Sequence, residues 1–387
     1  MNSKNKILII VFSNLRHDAR VKRQIDFLRN DYSLTVLCFD SDPVPGVNVV
    51  RFKKTPLTPA RKAFCGFLLV LRLYKMAHSI LHDYGYLERD LEREDFQLII
   101  ANDIETLPMA FRISRNKKIF FDVHEYAPRH FEDKLWWRFF FKGLNNYLCK
   151  NYIPKVKAMT TVGVGLANEY KKHFNVRPTV ITNATRYHEI QPSQLLDARI
   201  RMVYHGIANP SRKIEMMIEM VNHLDPRFTI DLILMTSNFA SSKTKSYIQD
   251  LKSSVEHHSR IRILPELPSE QVVEFINQYD IGVFLIPPVN FNYANTLPNK
   301  LFEYIQARLA VAIGPTPEMA EIVKKYKIGV VSEDFNALSL ASQLNAVTRE
   351  SLLQFKGNSS IAAKDLCAEN NQISFLKLVD EVIQKAN

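Results

Sequence analysis

Short apolar runs that alternate with amphipathic helical stretches occur in two successive series along this chain, and this pattern constrains the fold most. Seven Val/Ile-rich runs lie between Ile7 and Thr182, and six more lie between Arg201 and Val331. A Gln/Pro/Ser stretch near residues 191–193 separates the two series. Strand–helix alternation with apolar strands is typical of parallel sheets that helices cover on both faces. The sequence therefore predicts an α/β protein with two doubly wound domains facing each other across a cleft.

Basic residues are concentrated in the first series. The chain of 387 residues has 51 Lys+Arg and 40 Asp+Glu, a formal net charge of +11. Residues 1–190 hold 31 basic and 19 acidic residues, whereas residues 191–387 hold 20 and 21. A basic domain attracts anions such as phosphates, nucleic acid or acidic lipid headgroups. Net charge alone would allow a non-catalytic nucleic-acid-binding protein, but the sequence contains no recognition helix or ribonucleoprotein motif that would support it.

Two segments of the first domain combine basic side chains with apolar bulk. One extends from Arg61 to Lys75, and the other, from Lys134 to Lys142, contains both tryptophans. A basic, aromatic-rich helix face can lie in a membrane interface, although core helices with solvated Lys and Arg ends share this composition. We favour contact with an anionic membrane surface, because both segments fall in the basic domain. Since no apolar run is long enough to span a bilayer, we expect a cytoplasmic protein that can sit on the inner face of the cytoplasmic membrane.

Glycine is scarce, and several glycine-dependent motifs are missing from the sequence. There are 11 glycines in 387 residues. No GxxxxGK[ST] or GxSxG pattern occurs, which argues against a P-loop protein and a serine hydrolase. Gly163 and Gly165 form a GxG, but Asn168 stands where a dinucleotide fingerprint needs a third glycine. The four cysteines lie far apart without a CxxC pair, so we expect a reducing compartment rather than a disulfide scaffold or a cysteine zinc site.

Polar side chains follow several strands of the first domain, at the carboxyl ends where parallel sheets bind ligands. Asp18 is a natural N-cap for the helix that follows the first strand. Asp103, His124 and Glu125 place two carboxylates and an imidazole at the ends of two later strands, on one rim of the sheet. The candidates in this domain are Asn14, His17, Asp18, Asp103, His124 and Glu125.

A second group of candidates lies in the second domain. His205 and Gly206 end a strand, and Arg212 is predicted to begin the next helix. A cation beside a helix N-terminus forms a diphosphate site, because the peptide dipoles and free N–H groups add to its charge. Surface bases on a helix would look the same in the sequence.

A predicted helix that begins near Thr296 carries further candidates for the same anion site. Thr296 is predicted to cap a helix whose first turn carries Pro298, so that free amides near these residues bind an anion. Lys300 and Glu303 are spaced i,i+3 and share one face of that helix; a simple salt bridge would have the same spacing. A carboxylate one to two turns from a phosphate site is well placed to accept hydrogen bonds from a ribose diol.

The segment from Leu297 to Ala312, LPNKLFEYIQARLAVA, resembles the LPNKLFEYMAAGLPVV stretch of the retaining GT-B glycosyltransferases of family 4 nearly residue for residue. Further motifs occur in the family's order at residues 18–21, 124–125, 181–183 and 204–212. The resemblance spans roughly residues 6–335. It implies the GT-B fold, with two Rossmann-like domains and a last helix that crosses back to the first domain.

The resemblance also implies an activity. The protein would be a retaining, metal-independent glycosyltransferase of the hexosyltransferase type, with no cofactor and no covalent nucleophile. It would transfer a sugar from a UDP- or GDP-linked donor to a glycan or lipid-linked acceptor in cell-surface polysaccharide or lipopolysaccharide biosynthesis. Residues 1–188, with a C-terminal helix at about 368–387, would bind the acceptor, and residues 189–367 would bind the nucleotide sugar.

Individual roles follow from the same resemblance. Glu303 would bind the donor ribose, Arg212 would hold the diphosphate, and His124 would sit beside the anomeric centre as the third catalytic residue. The donor-binding set is Gly206, Arg212, Asn295, Thr296, Leu297, Lys300 and Glu303. The acceptor-binding set is Asn14, His17, Asp18, Asp103 and Glu125.

The sequence departs from the family pattern at three positions. Asn295 replaces a glutamate that contacts the donor sugar, Ile207 replaces an arginine, and Arg308 replaces a glycine. The change at Asn295 leaves the identity of the donor sugar open. A sugar-nucleotide epimerase of the same fold is the alternative function; it would release UDP without an acceptor and usually needs extra carboxylates in the cleft.

Overall fold

The computed structural model describes residues 4–54, 56–114, 118–196, 199–235 and 241–384. The chain divides into two compact units. The first comprises Met1–Thr182, Asn290–Asn292 and Asn371–Asn387, and the second comprises Asn183–Val289 and Tyr293–Asn370. The division therefore falls after residue 182, where the sequence analysis placed it after 188. Residues 385–387 of the C-terminal helix expected from the sequence lie outside the described residues.

The first unit contains a seven-stranded parallel sheet in the order β3-β2-β1-β4-β5-β6-β7. Its strands are β1 (Lys6–Ile10), β2 (Ser33–Cys38), β3 (Val47–Arg51), β4 (Leu98–Asn102), β5 (Lys118–Asp122), β6 (Ala158–Thr161) and β7 (Thr179–Val180). The central strands β1 and β4 are almost wholly buried, because helices cover both faces of the sheet.

Seven helices follow these strands along the chain. They are α1 (Ala19–Leu28), α2 (Pro59–Val70), α3 (Tyr74–Leu81), α4 (Gly85–Glu92), α5 (Leu107–Ser114), α6 (Leu135–Tyr152) and α7 (Val164–Phe174). The prediction that Asp18 caps α1 is confirmed, because its side chain accepts a hydrogen bond of 3.1 Å from the amide of Val21. This cap fixes where the loop after β1 ends.

The second unit contains a six-stranded parallel sheet in the order β10-β9-β8-β11-β12-β13. Its strands are β8 (Ile200–Ile207), β9 (Phe228–Met235), β10 (Ile261–Leu264), β11 (Ile281–Phe284), β12 (Ala310–Ile313) and β13 (Gly329–Val331). The remaining helices are α8 (Glu215–Asn222), α9 (Ser242–Val255), α10 (Val272–Ile276), α11 (Phe291–Ala294), α12 (Asn299–Gln306), α13 (Pro317–Tyr326), α14 (Ala337–Asn345), α15 (Arg349–Asp365) and α16 (Ala368–Gln384).

The last helix, α16, belongs to the first unit from Asn371 onward. The ring of Phe375 lies 6.0 Å from that of Phe27 and 5.3 Å from that of Phe120, so this half of α16 covers the sheet beside α1. The helix thus returns to the first unit, as the sequence resemblance implies. The predicted α/β fold with two doubly wound, Rossmann-like domains is confirmed.

In each sheet, the strands that come next in the chain lie on one side of the first strand, and the later strands lie on its other side. This reversal of strand order lies between β1 and β4 in the first unit and between β8 and β11 in the second. Loops at the carboxyl ends of two such neighbouring strands diverge to opposite faces of the sheet, which leaves a crevice where α/β proteins bind ligands. Most candidate residues lie in the segments that follow these strands, whereas His124 and Glu125 follow the neighbouring strand β5.

Candidate functional site

In the second unit, Gly206 near the end of β8 makes room for two basic side chains. Its φ of +141° lies in a region that favours glycine. A Cβ atom at this position would lie 2.5 Å from Nζ of Lys300 and 3.2 Å from Nη1 of Arg212, and it would also collide with Cε of Lys300. A larger residue would therefore push the two cations away from the end of the strand.

Arg212 lies in a short 3₁₀ turn, Pro210–Arg212, that precedes α8. The prediction that Arg212 begins the helix is therefore wrong, because Lys213 adopts a left-handed φ of 50° that separates the turn from α8. The guanidinium lies beside the phenol groups of Tyr204 and Tyr293. Its Nε atom is buried and has no hydrogen-bond partner among the described residues. A buried N–H without a partner is available to an anionic ligand.

Lys300 lies in the first turn of α12 and is only 9 % exposed. Its Nζ atom is 5.7 Å from the ring centre of Tyr204 and 6.0 Å from that of Phe284. Burial, together with the nearby charge of Arg212, lowers the pKa of Lys300 to about 7, against the opposing effect of Glu303. The ammonium group is therefore balanced between its two protonation states near neutral pH.

Glu303 lies one turn further along α12, beside His205 at the end of β8. Nε2 of His205 is 3.2 Å from Oε2 of Glu303. Burial and the charges of Lys300 and Arg212 lower the pKa of His205 well below its usual value, so this imidazole is neutral. The side chain of Glu303 remains 17 % exposed. Nε2 of His205 is buried and makes no hydrogen bond within the described residues. A neutral histidine does not offset the charge of the carboxylate, which stays in place for a ligand.

The start of α12 differs from the sequence prediction. The helix begins at Asn299 with Pro298 as its N-cap, and no side chain caps it, so the prediction that Thr296 caps this helix is wrong. Had Thr296 been the cap, Leu297 would be helical immediately before a proline, which is sterically disfavoured. The amide of Thr296 donates to the carbonyl of Tyr293 (3.4 Å) and that of Leu301 donates to the carbonyl of Pro298 (3.2 Å). The first amides of a helix that begins at Asn299 have no carbonyl four residues earlier within the helix.

The other two donor-site candidates lie in the segment before α12. Asn295 is half-buried in the turn between α11 and α12. Leu297 is buried, and its carbonyl accepts a hydrogen bond of 3.0 Å from Nδ2 of Asn183. This bond ties the start of α12 to the first residue of the second unit.

In the first unit, the structure brings Asp103 and His124 together. Oδ1 of Asp103 lies 3.0 Å from Nδ1 of His124, and Oδ2 accepts a hydrogen bond of 3.0 Å from Nη2 of Arg20. Asp103 has a φ of +66°, which is uncommon for a residue other than glycine. Its amide donates to the carbonyl of Asp122 and its carbonyl accepts from the hydroxyl of Thr106, and these bonds hold the conformation.

Charges within this cluster shift one another's pKa values. Burial opposes the charged form of His124, but the carboxylate of Asp103 outweighs it and the pKa of His124 is raised. Burial would raise the pKa of Asp103, but Arg20 and His124 hold it well below its usual range. Burial and the charge of Asp103 raise the pKa of Glu105 to about 7. Asp103 is therefore ionised, and Glu105 titrates near neutral pH.

The remaining acceptor-site candidates have varied surroundings. Asn14 accepts a hydrogen bond of 3.0 Å from the amide of Arg16, and Asp18 accepts one of 2.7 Å from the hydroxyl of Ser13, so both shape the loop after β1. His17 is exposed. Glu125 forms an ion pair with His130.

Sequence reasoning missed several members of the cluster. Nη1 of Arg20 donates to Oδ2 of Asp122 at 3.2 Å, so one arginine joins the ends of β4 and β5. Asp122 could have been found from the sequence. A carboxylate directly after an apolar run is expected to be buried, and a buried carboxylate needs a partner of opposite charge. Glu105 and His130 carried none, since nothing in their spacing connects them to Asp103.

Comparisons with known proteins bear on the fold. No protein-family model matches the sequence, and no curated protein is similar to it. Solved structures are similar over nearly the whole chain. Sucrose-phosphate synthase from Thermosynechococcus elongatus has a TM-score of 0.76 at 12% identity, with 98% of this chain and 99% of that chain covered.

Two further solved structures show the same likeness. HepE from Anabaena, in complex with UDP and glucose, has a TM-score of 0.68 at 13% identity, covering 97% of this chain and 100% of that chain. The α,α-trehalose-phosphate synthase (UDP-forming) from Burkholderia vietnamiensis has a TM-score of 0.66 at 10% identity, with 97% and 100% covered. At such identities the likeness establishes the GT-B fold, and the activity has to be argued from the site.

Proposed function

We propose that this protein is a glycosyltransferase that transfers a sugar from a UDP- or GDP-linked donor to a glycan or lipid-linked acceptor. One observation carries the proposal: Arg212 and Lys300 converge on Gly206 at the end of β8, with Glu303 one helical turn away. Two cations and a carboxylate in this order match the diphosphate and the ribose of a nucleotide sugar. The solved GT-B structures include one in complex with UDP and glucose, which supports the same class of donor.

The diphosphate is the part of the donor that this arrangement suits best. Arg212 offers a planar, bidentate guanidinium, and Lys300 offers a point charge beside it. The amides of the first turn of α12 add dipoles that favour an anion. Glu303 then accepts hydrogen bonds from the ribose hydroxyls, with the neutral imidazole of His205 beside it.

The same groups serve the chemical step of the proposed reaction. Negative charge grows on the diphosphate as the bond to the sugar breaks, and preorganised cations stabilise that charge most in the transition state. Because Arg212 supplies a permanent positive charge and a bound diphosphate favours the charged form of Lys300, we propose a reaction that needs no metal ion. We also propose retention of the anomeric configuration, with the acceptor attacking from the face that the diphosphate leaves; proton NMR of the product sugar tests this.

We assign the acceptor to the cluster at the ends of β1, β4 and β5 in the first unit. His124, oriented by Asp103, would sit beside the anomeric centre, and Asp103 would face the acceptor together with Glu125 and the loop that carries Asn14, His17 and Asp18. We propose that the acceptor belongs to cell-surface polysaccharide or lipopolysaccharide biosynthesis and that the enzyme works in the cytoplasm.

Thermal-shift measurements with UDP, GDP and their sugars test the proposed function directly. A ligand that binds only the folded protein stabilises it by about 2.7 kcal/mol at one hundred times its Kd. We expect at least one of these nucleotides at millimolar concentration to raise the melting temperature. Adenosine diphosphate serves as the control for unspecific binding of a diphosphate. The proposal fails if none of the uridine or guanosine nucleotides stabilises the protein more than this control does.

Binding of UDP-glucose is expected to weaken above neutral pH. Lys300 has a pKa of about 7 in the free protein. A bound diphosphate stabilises the ammonium and raises the pKa of Lys300. At a pH between the pKa of the free protein and that of the complex, binding is therefore accompanied by uptake of a proton at Lys300. The affinity is then highest below pH 7 and falls as the pH rises through 8. Calorimetric titrations between pH 6.5 and 8.5, in buffers of different ionisation enthalpy, measure both the affinity and the proton uptake.

The variant Lys300→Gln is the control for this pH dependence. It should bind UDP-glucose more weakly but with little change across the same pH range. If the affinity of the unmodified protein is flat over this range, Lys300 is not the titrating group.

A further inference from the structure

Large apolar side chains that are exposed to solvent are concentrated on one part of the first unit. Of the nineteen such side chains among the described residues, nine lie on α2, α3 or α6 or in the short connection between α2 and α3. They are between 44 % and 74 % exposed. They are Phe64, Phe67, Val70, Leu71, Leu73, Met76, Leu135, Trp136 and Phe139. We call them the α2–α3–α6 face.

The three helices that carry these side chains pack against one another. Gly66 of α2 lies against Phe140 of α6, with 3.7 Å between its Cβ position and the ring. Gly143 of α6 lies directly against Tyr74 of α3. Phe67 directly follows Gly66 in the sequence and Phe139 directly precedes Phe140, so both exposed rings adjoin this contact. Other side chains of the same helices, among them Leu68, Ala77 and Leu144, belong to the core, and the exposed apolar side chains lie outside it.

Basic residues surround the α2–α3–α6 face. No acidic residue occurs between residues 59 and 82 or between 134 and 168. One of the basic residues, Arg61, forms an ion pair with Asp83 at 3.1 Å. The basic residues are Arg61, Lys62, Arg72, Lys75, Lys134, Arg138 and Lys142. The surface therefore combines exposed aromatic rings with a positively charged border.

We propose that the α2–α3–α6 face docks the first unit onto an anionic phospholipid bilayer. Exposed Trp, Phe and Leu side chains bordered by Lys and Arg suit the region between headgroups and acyl chains. Anionic headgroups attract the basic border, and this attraction acts over about one Debye length. No helix in the described parts of the chain is long and apolar enough to cross a membrane, so the contact would be made at the surface.

Charge and composition favour a bilayer over a protein partner. Four of the seven basic residues are lysines, and lysine is depleted in protein–protein interfaces. A second copy of this chain on a two-fold axis would bring the same basic border against itself, which is repulsive. Docking does not depend on the proposed transferase activity, because the donor residues belong to the second unit.

Sedimentation of the full-length protein with vesicles tests the proposal. We expect binding to vesicles of phosphatidylcholine mixed with phosphatidylglycerol, and at least tenfold weaker binding to phosphatidylcholine alone. The triple variant Phe64→Ser, Phe67→Ser, Phe139→Ser and the triple variant Lys62→Glu, Arg138→Glu, Lys142→Glu should each reduce binding at least tenfold. Matched controls on the second unit, Leu353→Ser with Ile361→Ser and Lys245→Glu with Lys252→Glu, should bind as the unmodified protein does.

Tryptophan fluorescence adds a reading of where the contact is made. Trp136 is 54 % exposed, whereas Trp137 is 4 % exposed. In the variant Trp137→Phe, Trp136 is the sole tryptophan, and its emission should shift to shorter wavelength when anionic vesicles are added.

Several outcomes would overturn the proposal. These are absence of vesicle binding by the unmodified protein, binding that does not depend on phosphatidylglycerol, and unchanged binding by both triple variants. A dimer in light scattering that the serine variants abolish would assign the face to a second copy of the chain instead. Thermal shifts with UDP on the same preparations report on the second unit, so a failure of docking and a failure of donor binding can be told apart.

Discussion

Replacing Arg212 or Glu303 with alanine is expected to lower the turnover of sugar transfer at least about tenfold, the scale of losing one group that stabilises developing charge. In the proposed donor site, Arg212 would hold the diphosphate through a guanidinium whose Nε atom is buried, so its loss would remove charge stabilisation. Without the carboxylate of Glu303, the proposed contact with the ribose would be lost and the donor would be positioned less well. Initial rates with the donor identified by thermal shift measure both effects.

Arg212→Ala and the more conservative variant Glu303→Gln are expected to affect different kinetic constants. Arg212→Ala should lower kcat, because the diphosphate carries most charge in the transition state. Glu303→Gln should mainly raise the KM for the donor, since it keeps the shape of the side chain and loses the strong acceptor.

Neighbouring exposed residues provide matched controls for these variants. Lys213→Ala removes a side chain that is 51 % exposed and directly follows Arg212. Glu274→Ala removes an exposed carboxylate on α10. Both controls should retain nearly full turnover. Near-normal rates from both Arg212→Ala and Glu303→Ala would contradict the assignment of the donor site.

Replacing Asp280 with alanine is expected to destabilise the second unit by about 3–5 kcal/mol, the usual cost of breaking a buried ion pair. Oδ1 of Asp280 lies 3.3 Å from Nζ of Lys356, and these side chains are 0 % and 2 % exposed. Oδ2 accepts a hydrogen bond of 2.8 Å from the amide of Arg201. Without the carboxylate, the ammonium of Lys356 stays buried with only neutral partners, the hydroxyl of Ser193 and the carbonyl of Tyr279.

Thermal and urea unfolding measure this loss of stability. The double variant Asp280→Ala, Lys356→Met should recover part of it, because an apolar side chain replaces the unpaired charge. The surface pair of Asp26 and Arg29, with side chains 58 % and 41 % exposed, is the control. Asp26→Ala should leave the melting temperature nearly unchanged. A change of less than about 1 kcal/mol for Asp280→Ala would show that the buried pair is not needed for stability.

Strands were predictable from the sequence because their signal is local. Each of the thirteen apolar runs corresponds to a strand in the structure, and strand ends moved by only a few residues. Val- and Ile-rich runs flanked by helical periodicity allow little other than buried parallel strands. The placement of the candidate loops at the carboxyl ends of the strands follows from that architecture, whereas the order of the strands came from the structure.

Helix starts at the donor site were less predictable. Arg212 and Thr296 were each placed at a helix start, yet Arg212 lies in a preceding turn and α12 starts after Pro298. In both cases one residue's backbone conformation decides the boundary, at Lys213 through its left-handed φ and at Leu297 through the following proline. When two or three neighbouring residues could each begin a helix, packing against the rest of the fold decides which one does. A sequence pattern carries no information about that packing.

Arg308 shows how tertiary contacts override a local preference. It adopts a φ of +60° just after α12, a left-handed conformation that favours glycine at the end of a helix. Its side chain is nevertheless 1 % exposed and donates hydrogen bonds of 2.6 Å to the carbonyl of His188 and 2.7 Å to that of Gln306. These bonds offset the steric cost of the left-handed conformation, so the position tolerates arginine.

The sequence by itself determined the two parallel sheets, the strand ends that carry the candidate residues, and the uneven distribution of charge along the chain. Only the tertiary structure decided which of those residues meet. Arg20 joins Asp103 and Asp122, and Gly206 lets Lys300 approach Arg212, across separations of more than eighty residues. The physical reason is one of range: apolar periodicity and turn chemistry act over a few neighbouring residues, whereas distances between side chains on different strands depend on how the whole sheet and its helices pack.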